Sequence, residues 1–205
     1  MNTAAKPAFA RPASDSPASN RLPLCIFAAL AVLMLATRSH SLSHLVHLPD
    51  TDLASFFVLG FFVRRMVAFA ALFMLGFAID VVVIQVLGGS GFCFTPAYWM
   101  LLPAHGLLWL AGRFAAARWG DRLSALPAIV ALLIAASFAA NLLTSGGFYL
   151  LGGRYPDPTL AGFLPRIARY FPGVLLATLL WSGVAAALWA LVVTARPHLR
   201  IRPHR

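Results

Sequence analysis

The sequence predicts an all-α membrane protein of six transmembrane helices, and three observations predict it. Apolar residues make up 60% of the chain and charged residues only 11%, with a mean hydropathy of +0.82. Soluble domains carry roughly 25% charged residues. Six apolar segments recur along the 205 residues, separated by short polar links. The cations in those links are unevenly shared between alternate links, as the positive-inside rule requires of a multi-pass protein.

The elements follow in order. Residues 1–20 are rich in Ala, Pro and Ser and carry Lys6 and Arg11. They hold too few large apolar side chains to fold and read as a disordered cytoplasmic tail. Helix 1 is expected over Leu22–Thr37. Its long polar lead and missing small-x-small site argue for a retained membrane helix rather than a cleaved signal peptide. Helix 2, Leu53–Val63, is shorter than the ~20 residues that span a bilayer. It must therefore borrow flanking residues, thin the bilayer or pack against its neighbours. Helix 3 covers Met66–Leu87, helix 4 Ala97–Gly112, helix 5 Leu123–Leu143 and helix 6 Tyr170–Thr194. The six-helix domain thus occupies residues 21–196, and residues 197–205 form a basic cytoplasmic tail.

Charge sets the orientation. With the N-terminus inside, twelve of the sixteen Lys and Arg residues fall on the inner side. Only Arg38, Arg154, Arg166 and Arg169 fall outside. Both termini are then cytoplasmic. The net charge of +10 reflects this bias and attraction to anionic lipid, since the basic residues are scattered rather than gathered in a nucleic-acid-binding stripe. Three loops face outward: the histidine segment 38–50, the loop with Cys93, and a Gly-rich loop over Ser145–Pro165. Nearly all the polar chemistry sits in them, which points to capture of something from the outer side.

The loop Gly91-Phe92-Cys93-Phe94-Thr95-Pro96-Ala97-Tyr98 is the most specific feature. Cys93 is one of two cysteines in the chain. Two readings stand. A thiolate is a good soft ligand and nucleophile, and a free cysteine is also a common small buried apolar residue. His40, His44 and His47 are spaced four and three apart, which places them on one face of a helix. They read equally as metal or axial ligands and as interfacial polar residues. Asp80 lies inside helix 3, about two turns from its outer end. It either pairs with a polar group or the Cys93 loop, or snorkels to the interface beside Gln85. His105 reads as a packing residue of helix 4. Ala131, Ala135 and Ala139 of helix 5, and Gly173, Ala177, Gly183 and Ala187 of helix 6, read as small faces for close packing within the bundle.

Several functions are excluded. There is no Gly-rich phosphate loop and no Glu anywhere in the chain. Paired carboxylates, a nucleophile elbow and a Cys-x-x-Cys are missing too. The chain has no ATP or nucleotide site, so energised transport needs a partner.

The order of features resembles a known family. The histidine segment followed by Leu48-Pro49-Asp50, the run Phe56–Phe61, Ala78-Ile79-Asp80, and above all Phe92-Cys93-Phe94-Thr95-Pro96-Ala97-Tyr98 with Leu101-Leu102-Pro103 are similar to the BtuM-type membrane proteins. These are solitary substrate-binding components related to energy-coupling-factor vitamin transporters. The resemblance runs from about residue 35 to 195. It implies six helices around an outward pocket for cobalamin (vitamin B12), with Cys93 ligating the corrin cobalt and promoting loss of cyanide from cyanocobalamin. It also implies that Phe92, Phe94, Tyr98 and Trp99 cover the corrin face while Thr95 and other loop polar groups meet its amide edges. Helix 1 departs from the family. Ala28, Ala29, Ala31 and Ala36 lack the Ala-x-x-x-Ala spacing that docks a shared transmembrane partner and its ATPase, so the energy source stays open. Rival readings are a corrinoid decyanase enzyme, a haem or metal-ion uptake protein, and a structural membrane subunit.

Overall fold

The computed structural model of the protein describes residues 21–38, 49–92 and 94–203. The tail 1–20, His40, His44, His47 and Cys93 lie outside the described residues.

Every described element is helical. Helix α1 is Arg21–Arg38, α2 Asp52–Phe62 and α3 Met66–Gln85. A 3-10 turn over Pro96–Met100 leads into α4, Leu101–Arg118. Helix α5, Leu126–Asn141, continues through a π-helical turn, Leu142–Gly146, into the short α6, Gly147–Leu151. Helix α7 is Leu160–Ala195. Five of these helical stretches are long and apolar enough to cross a membrane, and α2 is the short apolar exception. The protein is an all-α, multi-pass membrane bundle.

The brevity of α2 is resolved by packing against neighbours, the last of the three options open to it. Phe56, Leu59 and Ala54 are fully enclosed, and nine of its eleven residues are buried. Two glycines make this possible. A Cβ on Gly60 would lie 2.0 Å from the Trp109 carbonyl oxygen, and one on Gly112 would lie 2.1 Å from the Phe57 carbonyl oxygen. The backbones of α2 and α4 are therefore in direct contact, and only glycine fits at either point. Ala104, Leu108, Ala115 and Ala116 extend the same seam along α4. Met34 of α1 and Leu72 of α3 close the core on the other side.

The largest departure from expectation is the outer Gly-rich loop. Ser145–Leu151 is helical, and α7 starts at Leu160, so the connection shrinks to residues 152–159. Thr159 explains the start. Its extended backbone and hydroxyl, which accepts from the Gly162 N–H at 3.1 Å, form an N-cap. Pro165 and Pro172 lie within α7 without ending it. At 36 residues, α7 is about 54 Å long, against a hydrocarbon core of about 30 Å. Its first ten residues, with Arg166 and Arg169, precede the apolar stretch that opens at Tyr170.

The small-residue faces also behave differently. Ala131 and Ala135 are exposed, and a Cβ on Gly173 or Gly183 would meet no atom within 4 Å. Only Ala177 is buried in the bundle. Four-residue spacing of small residues permits close packing but does not say which face turns inward. In α5 that face is Leu133, Ala136, Ser137, Ala140 and Asn141.

The two ends of the bundle differ. At one end Asp121 accepts hydrogen bonds from the Trp189 indole at 3.1 Å and the Ile201 N–H at 3.2 Å, so the C-terminal segment folds back onto the α4–α5 link. Arg64 lies here too. Burial first, and the Arg113 charge second, lower its pKa below the ordinary value. At the other end α1 finishes, α2 begins, α3 finishes and α4 begins.

Candidate functional site

That second end brings five polar side chains together from five separate elements. Arg38 is the last residue of α1. Its guanidinium grips Asp80 of α3 in a two-point pair, Nε to Oδ1 at 2.6 Å and Nη2 to Oδ2 at 2.6 Å. Its remaining nitrogen, Nη1, donates to Oδ2 of Asp52, the first residue of α2. The Tyr98 hydroxyl, in the 3-10 turn, donates to Asp80 Oδ2 at 2.8 Å. His105 of α4 sets its Nε2 3.9 Å from Asp52 Oδ2.

Local structure places each group. Gly76, one turn before Asp80, leaves the α3 surface open: a Cβ there would already touch Met34 Sδ at 3.4 Å and Arg38 Nη1 at 3.6 Å. The planar guanidinium fork matches two carboxylates at once, which an ammonium would not. The Thr37 and Thr51 hydroxyls, 2.8 Å apart, tie the end of α1 to the start of α2 beside it. His105 is 3% exposed, with its ring stacked on Phe56 at 4.2 Å between centroids. A small cleft lined by Arg38, Phe77, Tyr98 and His105 opens beside the cluster.

Around this ionic centre stands an aromatic rim. Phe77 touches Phe94, Tyr98 and Trp99, with centroids 5.8–6.1 Å apart. Phe92 packs on Phe148 at 5.5 Å and carries the Arg154 guanidinium over its ring at 5.1 Å. Arg166 bonds the Tyr155 hydroxyl at 2.6 Å and lies over the rings of Tyr149 and Tyr170. The π-helical turn reaches this region: Gly147 abuts Met100, since a Cβ on it would lie 2.6 Å from Met100 Cγ. Despite the stacking, Phe92, Phe94 and Trp99 remain 49%, 40% and 59% exposed. The backbone N–H of Phe94 donates to the Gly91 carbonyl at 3.0 Å.

Asp80 therefore pairs rather than snorkels, and one of its partners is Tyr98, five residues beyond Cys93. Phe94 and Tyr98 both meet Phe77, whereas Phe92 packs on Phe148. Thr95 is half-buried, and its hydroxyl finds no hydrogen-bond partner among the described residues. Cys93 and the three histidines of the 38–50 segment lie outside the described residues. Among the described residues no group of three His, Cys or Asp side chains could hold a metal ion.

Sequence reasoning missed three members of the cluster. Arg38 was counted only as an outer-side cation, Asp52 was not singled out, and His105 was read as packing alone. A signal existed. Arg38 and Asp52 flank apolar helices at positions that meet Asp80 if α1, α2 and α3 alternate in direction, and intramembrane charges seek partners.

No protein-family model and no curated protein matches this chain.

Proposed function

We propose that the chain is a membrane binding and uptake component for cobalamin, with the Cys93 sulfur as the ligand to the substrate's cobalt. The observation that carries this reading is the exposed aromatic rim around position 93. Phe92, Phe94 and Trp99 leave large aromatic surface uncovered. Here they stand open at one end of the bundle, on a turn anchored through Tyr98 to a buried ion network. A broad ring with an apolar face and amide-bearing edges suits such a surface. The Cys93 sulfur would supply a soft axial donor.

The chemistry balances without a redox step. The thiol gives up its proton as a sulfur–cobalt bond forms, the cobalt–cyanide bond breaks, and cyanide departs with the bonding electron pair and takes the proton as hydrogen cyanide. In this orientation the rim faces outward, while the basic end and both termini face the cytoplasm of a bacterial inner membrane. Fusion reporters should then read cytoplasm at Arg205 and the outer side near Gly91 and Gly153. Reporters placing Gly91 and Arg205 on the same side would refute capture from outside.

The decisive experiment mixes purified protein with cyanocobalamin and follows absorbance and free cyanide over time. Cys93→Ala should retain weakened binding but lose the sulfur-ligated spectrum and cyanide release. Cys93→Ser should match it, because a neutral hydroxyl is a poor cobalt donor. Cys25→Ala should match wild type, since Cys25 is exposed on the opposite half of α1. A Cys93→Ala protein that still releases cyanide like wild type would sink the proposal. A Soret band in the purified protein would assign the site to haem instead.

A further inference from the structure

The ionic cluster is unevenly satisfied. Asp80 accepts three hydrogen bonds, two from Arg38 and one from Tyr98. Among the described residues, Asp52 accepts one side-chain bond on Oδ2, from Arg38, and its buried Oδ1 has no partner. Across from it His105, almost fully buried, leaves Nδ1 unpartnered among the described residues, and its Nε2 lies 3.9 Å from Asp52 Oδ2. Asp52 and Asp80 both bond to Arg38 and Asp50 stands beside them, so carboxylates outnumber the one guanidinium. Burying such a surplus is costly.

We propose that this centre binds one exchangeable proton, shared between Asp52 and His105. A proton is the ligand the geometry fits. It reduces the surplus negative charge, and it gives Asp52 and His105 the hydrogen bond whose partners already face each other. A metal cation fits worse. It would meet the Arg38 charge, and only one carboxylate oxygen is free. The adjoining cleft has a volume of about 10 Å³, room for about one water and not for a hydrated ion. That water-sized cleft, lined by Arg38, Tyr98 and His105, gives the proton an approach.

The groups that face the pair come from every element around it. They are Arg38 of α1, Asp80 of α3, Tyr98 of the 3-10 turn, and Asp50, whose Oδ1 accepts the Asp52 N–H at 3.0 Å. Protonating Asp52 weakens its hold on Arg38 Nη1 and leaves the guanidinium to Asp80 alone. Asp80 in turn holds Tyr98 of the aromatic rim. Proton binding is thereby linked to the rim through three direct contacts in series, Asp52 to Arg38, Arg38 to Asp80 and Asp80 to Tyr98. Nothing in this inference depends on the identity of the substrate.

The test uses the full-length chain in lipid nanodiscs, labelled with ¹⁵N-histidine and ¹³C-aspartate, with no corrinoid present. Magnetic resonance shifts are followed from mildly alkaline to acid pH. The His105 signal is assigned by its loss in His105→Gln, and His198, outside the cluster, is the internal control. One transition should move the His105 ring and the Asp52 carboxyl together, at a midpoint separate from that of His198. Asp52→Asn should lower the His105 midpoint by about one pH unit or more, because a carboxylate at this distance favours the charged ring. A wild-type chain in which neither group changes protonation before it unfolds overturns the proposal. So does an unchanged His105 midpoint in Asp52→Asn. Should that variant fail to fold, the wild-type titration decides the matter alone.

Discussion

Helices α2 and α7 are both apolar and both contain glycine, yet they meet opposite fates. In α2, nine of eleven residues are buried. In α7, only Phe163, Ala177, Thr178 and Val193 of 36 residues are buried. In lipid this contrast is natural. Hydrocarbon tails accept an apolar side chain as readily as a protein core does, so hydrophobicity cannot choose the inner helix. Close backbone approach chooses it. The α2–α4 seam is built on Gly60 and Gly112, which no other residue can replace without separating the helices. Gly173 and Gly183, within the apolar stretch of α7, face open space.

The same substitution at two places should therefore have opposite consequences. Gly60→Ala forces a methyl group into the Trp109 carbonyl, which cannot yield without moving α4. It should cost roughly 3 kcal/mol, at the top of the range for overpacked cores, and appear as lost monodisperse yield or a much lower melting temperature. A Gly60→Ala protein as stable as wild type would break the comparison.

A smaller effect is expected where α2 meets charge. Asp80→Asn removes half of the two-point pair with Arg38 and leaves the guanidinium only Asp52. Loss of one partner from a buried pair ordinarily costs 3 kcal/mol or more, and Asp52 offsets part of it, so a loss of about 2 kcal/mol is expected. Gln85→Ala, on the exposed end of the same helix, should stay within about 0.5 kcal/mol. Thermal unfolding of the two variants side by side sharpens the contrast, and equal stabilities would mean the ion network holds nothing together.

The smallest effect belongs to α7. Gly183→Ala should lie between no change and a gain of about 1 kcal/mol, since a Cβ meets open space and alanine favours helix. A clear destabilisation would reveal a packing partner for that face.

Much of the architecture was legible from residues alone. The starts of α1, α2 and α3 fall within one residue of where hydropathy puts them, and the brevity of α2 already demanded an explanation. The outer end of α5 and the start of α7 were not legible. Gly, Pro and Ser between Ser145 and Pro165 look like loop-formers, and only the Thr159 cap and the Tyr149–Phe163 stacking at 5.7 Å show why helix persists on both sides. For the site, Asp80 and Tyr98 were visible because each is chemically out of place or beside the unusual loop. Their joining was not, since a charge at membrane depth announces that it needs a partner without naming it.

The sequence by itself determined that this is a multi-pass helical membrane protein, because a low charge content and long apolar runs have few other stable homes. It also determined where the rim aromatics fall in the chain. Tertiary structure alone decided which helix is central, because that depends on backbone-to-backbone distances at Gly60 and Gly112. It alone decided that Arg38, Asp52, Asp80 and His105 form one centre, because residues up to 67 positions apart share a site only when alternating helices bring their ends to the same level.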